Sequence, residues 1–162
     1  MELPPGVPDE AREAFERGYR AQMAGRLDEA VEAYRRSIAV HPTAEAHTFL
    51  GWALSFQGHT EDAIAQCRIA IEVDPDFGNP YNDIGAYLIE LDRLDEAVPW
   101  LERAKTAPRY EPRHYPYFNL ARVHVRRHRI REAIRELEAA IAIEPGYTLA
   151  RRELHRLRGM LN

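Results

Sequence analysis

The sequence is poor in cysteine, in lysine and in long apolar runs. Cys67 is the only cysteine among 162 residues, so no disulfide can form within the chain and nothing indicates an oxidising compartment. No stretch reaches the roughly 18 apolar residues of a transmembrane helix, so we expect no membrane insertion. The first residues, MELPPGVPDE, contain no apolar run of signal-peptide length. These absences predict a cytoplasmic protein, unless a targeting segment has been removed.

The common catalytic motifs are missing as well. The nine glycines are scattered rather than gathered in a phosphate-binding loop, and no GxSxG, HExxH or CxxC sequence occurs. Carboxylates are abundant, but their predicted positions at helix starts and on outer faces explain them without catalysis. We therefore predict a protein that is not an enzyme and that carries no cofactor.

Charge is distributed unevenly along the chain, although the net charge is only −4. Residues 1–80 contain 7 arginines against 14 acidic residues, a balance of −7, whereas residues 81–162 contain 14 arginines and one lysine against 12 acidic residues, a balance of +3. Nucleic-acid-binding domains are usually basic overall, so we do not expect a nucleic-acid partner. The basic half would attract an acidic segment of another protein.

The pentapeptide RLDEA occurs twice, at 26–30 and at 93–97, and reveals a repeat. The related sequences HTEDA and RIREA stand at 59–63 and 129–133. The closing alanines, Ala30, Ala63, Ala97 and Ala133, are spaced by 33, 34 and 36 residues. Self-similarity at a period in this range is typical of a repeat array.

Other columns follow the same period. Small residues precede each closing alanine by a constant interval, and these are Gly18, Gly51, Gly85 and Ala121. A proline follows each alanine in units one, two and four, whereas unit three has Arg109 at that position. Small residues on a helix face allow a neighbouring helix to approach closely. The columns therefore predict tightly packed helices.

Each unit reads as two helices separated by a break. Apolar residues recur at helical spacing in HTFLGWALSFQG and NDIGAYLIELD, and the break needs a residue in the left-handed conformation. The residues at the break are Gly25, Gly58, Asp92 and His128. Acidic pairs then open the second helices of the first three units, where they favour the helix dipole. RLDEA is thus interpreted as a helix-start signal, and Arg131 replaces an acid in the fourth unit.

Two residue types were considered as reactive groups. His124 and His128 are spaced i, i+4 and would suit a shared metal ion, but a packing column and the helix break also explain them. We favour the structural explanation and predict no metal site. Cys67 falls in a column of large residues of the second helices and is expected to be a core side chain rather than a nucleophile. The other members of that column are Tyr34, Leu101 and Leu137.

These columns resemble the tetratricopeptide repeat (TPR) family, whose units are helix pairs of about 34 residues. The resemblance implies an all-α, right-handed α-solenoid of four helix-turn-helix repeats closed by a capping helix. The departures are Ala14 and Arg17, where the family prefers large apolar residues, and a two-residue insertion in TAPRYEPRHYP. The implied divisions are a flexible tail at 1–10, repeats at 11–43, 44–77, 78–113 and 114–147, and the capping helix at 148–162.

In this family the first helices of successive repeats line a concave groove that binds peptides. Aromatic rings of the groove would anchor a peptide, and two arginines would hold a carboxylate. The alternative is that several of the aromatic rings complete the core between repeats. By alignment, the groove residues are Phe15, Tyr19, Thr48, Trp52, Asn82, Ile89, Tyr115, Phe118, Arg122 and Arg126.

Two specialisations of the family do not match. Phe15 and Tyr19 occupy positions of the polar residues that bind chaperone C-terminal tails, and one column lacks the asparagine ladder of other members. We therefore predict a non-enzymatic protein-protein interaction scaffold that binds a peptide or an extended partner segment, acidic or C-terminal. Two alternatives remain open, a self-associating module that forms a homo-oligomer and a chaperone or adaptor for a bacterial secretion or membrane apparatus.

Overall fold

The computed structural model describes all residues from 1 to 162. It contains nine α-helices and no β-strand; Phe77 and Arg109 form one isolated bridge between two loops. The helices are α1 (Asp9–Met23), α2 (Leu27–Val40), α3 (Ala44–Phe56), α4 (Thr60–Val73), α5 (Asn79–Glu90), α6 (Leu94–Thr106), α7 (His114–Arg126), α8 (Ile130–Ile143) and α9 (Thr148–Met160).

Contacts between helices are confined to near neighbours in the chain. The closest associations are α1 with α2, α3 with α4, α5 with α6 and α7 with α8, and each pair also contacts the next. This arrangement is an α-solenoid, in which each repeat packs only against its neighbours. The last three pairs lie inside the expected units 44–77, 78–113 and 114–147, and α9 lies inside 148–162. The unit boundaries themselves remain predictions.

All four residues expected at the breaks adopt the left-handed conformation. The φ angles are +74° at Gly25, +85° at Gly58, +58° at Asp92 and +57° at His128. Residues other than glycine rarely adopt this backbone conformation, and Asp and His are among those that tolerate it. The second helix begins two residues after each break, and acidic residues open all four of these helices. The interpretation of RLDEA as a helix-start signal is confirmed.

The core lies between the helices of each pair. Tyr34, Cys67, Leu101 and Leu137 are all fully buried, which confirms the predicted core column. A large apolar cluster extends from the N-terminal segment through α1 to α7, and a second joins α7, α8 and α9. The core therefore extends along the solenoid rather than lying at one centre, as expected when each repeat buries its apolar face against the next.

Residues 1–8, part of the expected flexible tail, pack against the first repeat in this structure. Leu3 and Val7 are each only 7% exposed and belong to the main apolar cluster. The Arg12 guanidinium donates hydrogen bonds to the carbonyl oxygens of Leu3, Pro4 and Val7. Arg12 thereby ties the segment to α1, which begins at Asp9.

Replacing Pro99 with alanine is expected to raise the free energy of unfolding by about 1–2 kcal/mol. Pro99 is exposed and lies inside α6, where it has no N–H to donate to the carbonyl one turn earlier. Alanine restores that hydrogen bond. It also increases the conformational entropy of the unfolded chain, which offsets a smaller part of the gain. Urea denaturation would measure the gain, and an unchanged or lower midpoint would contradict the prediction.

Candidate functional site

One face of the solenoid is formed by the first helices of the repeats. The helices α1, α3, α5 and α7 contact one another in sequence, whereas no comparable contacts join α2, α4, α6 and α8. The layer in which successive helices lie closer together is the inner, concave one. Side chains on the exposed side of α1, α3, α5 and α7 therefore share one surface, which we call the inner face.

An array of aromatic rings occupies the inner face of the first two repeats. Phe49 is its centre, with ring centroids 5.3 Å from Phe15, 5.9 Å from Tyr19 and 5.7 Å from Trp52, all at steep angles. Trp52 in turn contacts Phe56 at 5.6 Å. Edge-to-face rings at these separations stabilise one another. The array runs from the buried Phe15 to the exposed Phe56, which is 62% accessible.

The ten predicted groove residues divide by burial. Tyr19, Tyr115 and Arg126 are exposed, and Trp52, Phe118 and Arg122 are partly buried, so these six present surface. The other four are nearly covered by neighbouring helices and offer little surface to a ligand in this structure. They are Phe15 at 2%, Thr48 at 3%, Asn82 at 7% and Ile89 at 1% exposure.

Packing and local hydrogen bonding explain three of these four positions. The Phe15 ring lies 5.6 Å from that of Tyr34 in the core. The Thr48 hydroxyl donates to the carbonyl oxygen of Ala44 at 2.7 Å, one turn earlier in its own helix. Ile89 belongs to the main apolar cluster. The alternative that part of the stripe completes the core therefore describes these residues, while the exposed rings remain candidates for ligand contact.

A hydrogen-bond chain links α5 to α7 at the centre of the inner face. The Asn119 amide donates to the Asn82 side-chain oxygen at 3.0 Å, and the Arg122 guanidinium donates to the Asn119 oxygen at 2.9 Å. Both asparagines are only 7% exposed. These two hydrogen bonds fix the orientation of the Arg122 side chain. Asp83, which the sequence interpretation did not include in the groove, is adjacent to Asn82 and partly exposed.

The two predicted carboxylate-binding arginines differ in their partners. Arg126 pairs with Asp92 at 2.5 Å, so its charge is already matched within the chain. Arg122 donates its side-chain hydrogen bond to the neutral Asn119 and belongs to no ion pair. Arg122 is therefore the better placed of the two to accept a carboxylate from outside, because a guanidinium forms its strongest hydrogen bonds with anions.

Tyr147, from the loop before α9, completes a second aromatic cluster beside Arg122. Its ring lies 4.7 Å from His114, 5.7 Å from Tyr115 and 5.3 Å from Phe118. Burial, with a smaller contribution from Tyr115, raises the pKa of Tyr147. The positive charge of Arg122 acts in the opposite direction and lowers this pKa. The sequence interpretation missed Tyr147 because it lies in a loop, outside the aligned helix columns.

The residues considered as reactive groups occupy packed positions. Cys67 is fully buried, and burial raises the pKa of its thiol well above the ordinary value. His124 is partly buried, which lowers its pKa, and His128 occupies the left-handed position in the break after α7. No group of three or more His, Cys, Asp or Glu side chains is arranged to hold a metal ion.

A shallow depression with mainly polar lining lies at each end of the solenoid. The depression at the first repeat is lined by Arg17, Glu29, Glu32, Ala33 and Arg36, and the one at the capping helix by Thr148, Arg151, Arg152 and His155. None of the nine helices combines the length and apolar character needed to cross a membrane.

A family model described as the tetratricopeptide repeat matches residues 15–76 and 50–112, together more than half of the chain. The chain therefore belongs to the tetratricopeptide repeat family. This family and its helix-pair fold are typical of protein-interaction scaffolds without catalytic activity.

Known proteins with similar sequences or folds agree with this assignment. The probable UDP-N-acetylglucosamine–peptide N-acetylglucosaminyltransferase SPINDLY of Hordeum vulgare is 33% identical over 88 residues, which are 49% of this chain and 9% of that protein. PilF of Pseudomonas aeruginosa superposes with a TM-score of 0.84 at 23% identity, covering 92% of this chain and 68% of PilF. YrrB, a TPR protein described as having an unusual peptide-binding site, superposes with a TM-score of 0.71 at 17% identity, covering 88% and 73%.

These similarities establish the fold. The all-α, right-handed solenoid implied by the resemblance is confirmed by the nine helices and by the solved structures. The chain spans only a small part of the transferase to which it is similar. The matched segment carries the repeats, which occur on proteins of many functions.

Proposed function

We propose that this chain is a non-enzymatic scaffold whose inner face binds a peptide or an extended segment of another protein. The observation that carries the proposal is the combination, on one face, of exposed aromatic rings and an arginine without an ionic partner. Interface anchors are typically aromatic residues and arginine, because both bury large areas and arginine also directs hydrogen bonds. A peptide-binding site on the similar fold of YrrB supports the same use of this architecture.

The ligand is best matched by a segment with apolar side chains at one end and a carboxylate at the other. The first two repeats expose Tyr19 at 39%, Met23 at 52% and Phe56 at 62%. The fourth repeat presents Arg122, in the half of the chain that is net basic. Complementary charge would orient the segment and accelerate its association. The carboxylate is an acidic side chain or a chain terminus.

The double substitution Trp52→Ala with Arg122→Glu is expected to weaken peptide binding by about 100-fold, since it removes one anchor and reverses the charge of another. The probe is a peptide selected on the wild-type protein from a random phage-displayed library, labelled for fluorescence anisotropy. We expect wild-type dissociation constants on the order of micromolar, corresponding to about −8 kcal/mol. Circular dichroism of the variant should retain the helical signal of the wild type.

A matched control makes the same residue changes on the outer layer. Trp100 lies on α6 and Arg135 on α8, and neither belongs to the inner face. Trp100→Ala with Arg135→Glu should leave binding of the selected peptide within about twofold of the wild type. Equal affinities for all three proteins would contradict the proposal, as would a wild-type protein that selects no peptide.

Self-association through the ends of the solenoid receives less support. The depressions at the two ends are lined mainly by charged and polar side chains, whereas stable subunit contacts usually centre on apolar patches. The capping helix does expose Leu149 and Met160, with Leu161 just beyond it. Sedimentation across a concentration series provides the comparison. A dimer or filament at micromolar concentration, undisturbed by the inner-face double substitution, would favour this function over peptide binding.

A further inference from the structure

Asp83 is an acidic side chain at the centre of the inner face with no basic partner. It lies on α5, the residue is only partly covered, and no ion pair within the chain includes it. Two other acids, Glu45 on α3 and Asp92 at the end of α5, pair with arginines at 2.8 Å and 2.5 Å. The chain therefore neutralises those two carboxylates and leaves the charge of Asp83 unmatched.

The groups around Asp83 are neutral at pH 7. They are Asn82, Cys67 on α4, Tyr87 one turn later on α5 and Tyr110 in the loop between α6 and α7. Burial raises the pKa of Asp83 to about 7, with the Asn82 side chain acting in the opposite direction. A carboxylate in such surroundings costs folding free energy unless a cation compensates its charge.

The repeat places Asp83 between the two ends of the candidate groove. Its counterparts in the neighbouring units are Phe49 on α3 and Asn119 on α7. Phe49 contacts Trp52 in the aromatic array, and Asn119 accepts the hydrogen bond from Arg122. From α3 to α7 the inner face therefore presents an apolar anchor, a carboxyl group without an ionic partner and a positive charge, in that order.

We propose that Asp83 binds a basic side chain, lysine or arginine, of the segment that occupies the groove. The ligand then carries an apolar residue over the aromatic array, a basic residue at Asp83 and a carboxylate at Arg122. This inference rests on the proposed function, because it requires a peptide in the groove. Complementary charges at two adjacent positions fix the direction in which the segment lies, since the reversed peptide places like charges together.

The test compares peptides selected from a random phage-displayed library on the wild type and on the Asp83→Asn variant. Wild-type selections are expected to be enriched in lysine or arginine, and the enrichment should disappear with Asp83→Asn. In fluorescence anisotropy, replacing the basic residue of a selected peptide with methionine should weaken wild-type binding about tenfold and leave the variant unchanged within twofold. Asp83→Asn removes an unmatched charge, so its thermal midpoint should equal or exceed that of the wild type.

Glu72→Gln supplies the matched control, because Glu72 is an exposed acid on the outer helix α4 and forms no ion pair. Its selections should keep the basic preference of the wild type. Wild-type peptides without a basic preference, or the same preference on Asp83→Asn, would overturn the inference. If Trp52→Ala with Arg122→Glu still weakens binding about 100-fold while the basic preference is missing, the proposed function stands without this inference. If the inner-face double substitution has no effect, both fail.

Discussion

Replacing Arg109 with alanine is expected to lower the free energy of unfolding by about 3 kcal/mol. The Arg109 guanidinium, from the loop between α6 and α7, donates to Glu45 at 2.8 Å and to Asp74 at 2.6 Å. The Glu45 side chain is only 1% exposed, so losing its partner leaves an uncompensated charge in the interior. The guanidinium also lies 4.4 Å from the ring centre of Phe77. Urea denaturation followed by circular dichroism would measure the loss.

Adding Glu45→Gln to the Arg109→Ala variant is expected to restore part of this stability, because the amide carries no charge. The matched control is Arg135→Ala, which removes an exposed arginine without an ion pair and should change stability by less than about 0.5 kcal/mol. If Arg109→Ala costs no more than Arg135→Ala, the Glu45 carboxylate does not depend on its partner and the prediction fails.

The same substitution should change the response to acid. Burial acts to raise the pKa of Asp74, but the hydrogen bond and charge of Arg109, together with the backbone N–H groups of Asp76 and Phe77, outweigh it, so the pKa lies below its ordinary value. A lowered folded-state pKa contributes stability that is present above the unfolded value of about 4 and is lost as pH falls through the folded value. Acidification below about pH 4 should therefore lower the free energy of unfolding of the wild type by this contribution. The same acidification should lower the free energy of unfolding of Arg109→Ala by a smaller amount.

Arg109 also shows where the sequence was informative and where it was not. The repeat columns marked it as a departure, since the other units have proline at that position. The structure supplies the reason. The N–H of Arg109 donates to the carbonyl oxygen of Asp76 at 3.0 Å, and its own carbonyl accepts from Gly78 at 3.0 Å. Proline has no N–H to donate, and this pairing joins two loops far apart in the chain, so local patterns do not reveal it.

The helices and their breaks could be predicted because they depend on local and repeated signals. Asp92 and His128 were recognised as left-handed positions only through their alignment with Gly25 and Gly58. The burial of groove residues has a different origin. Ile89 and Asn82 are buried because adjacent helices and their side chains approach closely there. This approach differs between units that share the same sequence pattern. The alignment located the inner face, but it did not determine which side chains on it remain accessible.

Replacing Gly85 with valine is expected to lower the free energy of unfolding by about 3 kcal/mol or more. Gly85 belongs to the small-residue column on α5 and faces the fully buried Leu101 on α6. A Cβ atom at Gly85 would lie 2.4 Å from both Cγ and Cδ2 of Leu101. A close-packed interior has no space into which the Leu101 side chain could shift, so α5 and α6 would have to move apart. Urea denaturation would show the loss as a lower midpoint.

A double-mutant cycle distinguishes this clash from a general intolerance of valine in the helix. Leu101→Ala alone should cost about 2–5 kcal/mol through its cavity, yet the pair Gly85→Val with Leu101→Ala should cost clearly less than the sum, because the new side chain fills the vacated space. Gly159→Ala is the control, since a Cβ there meets no atom within 4 Å and alanine should stabilise the last turn of α9 slightly. Strictly additive losses in the cycle would show that the contact between Gly85 and Leu101 does not set the separation of α5 and α6.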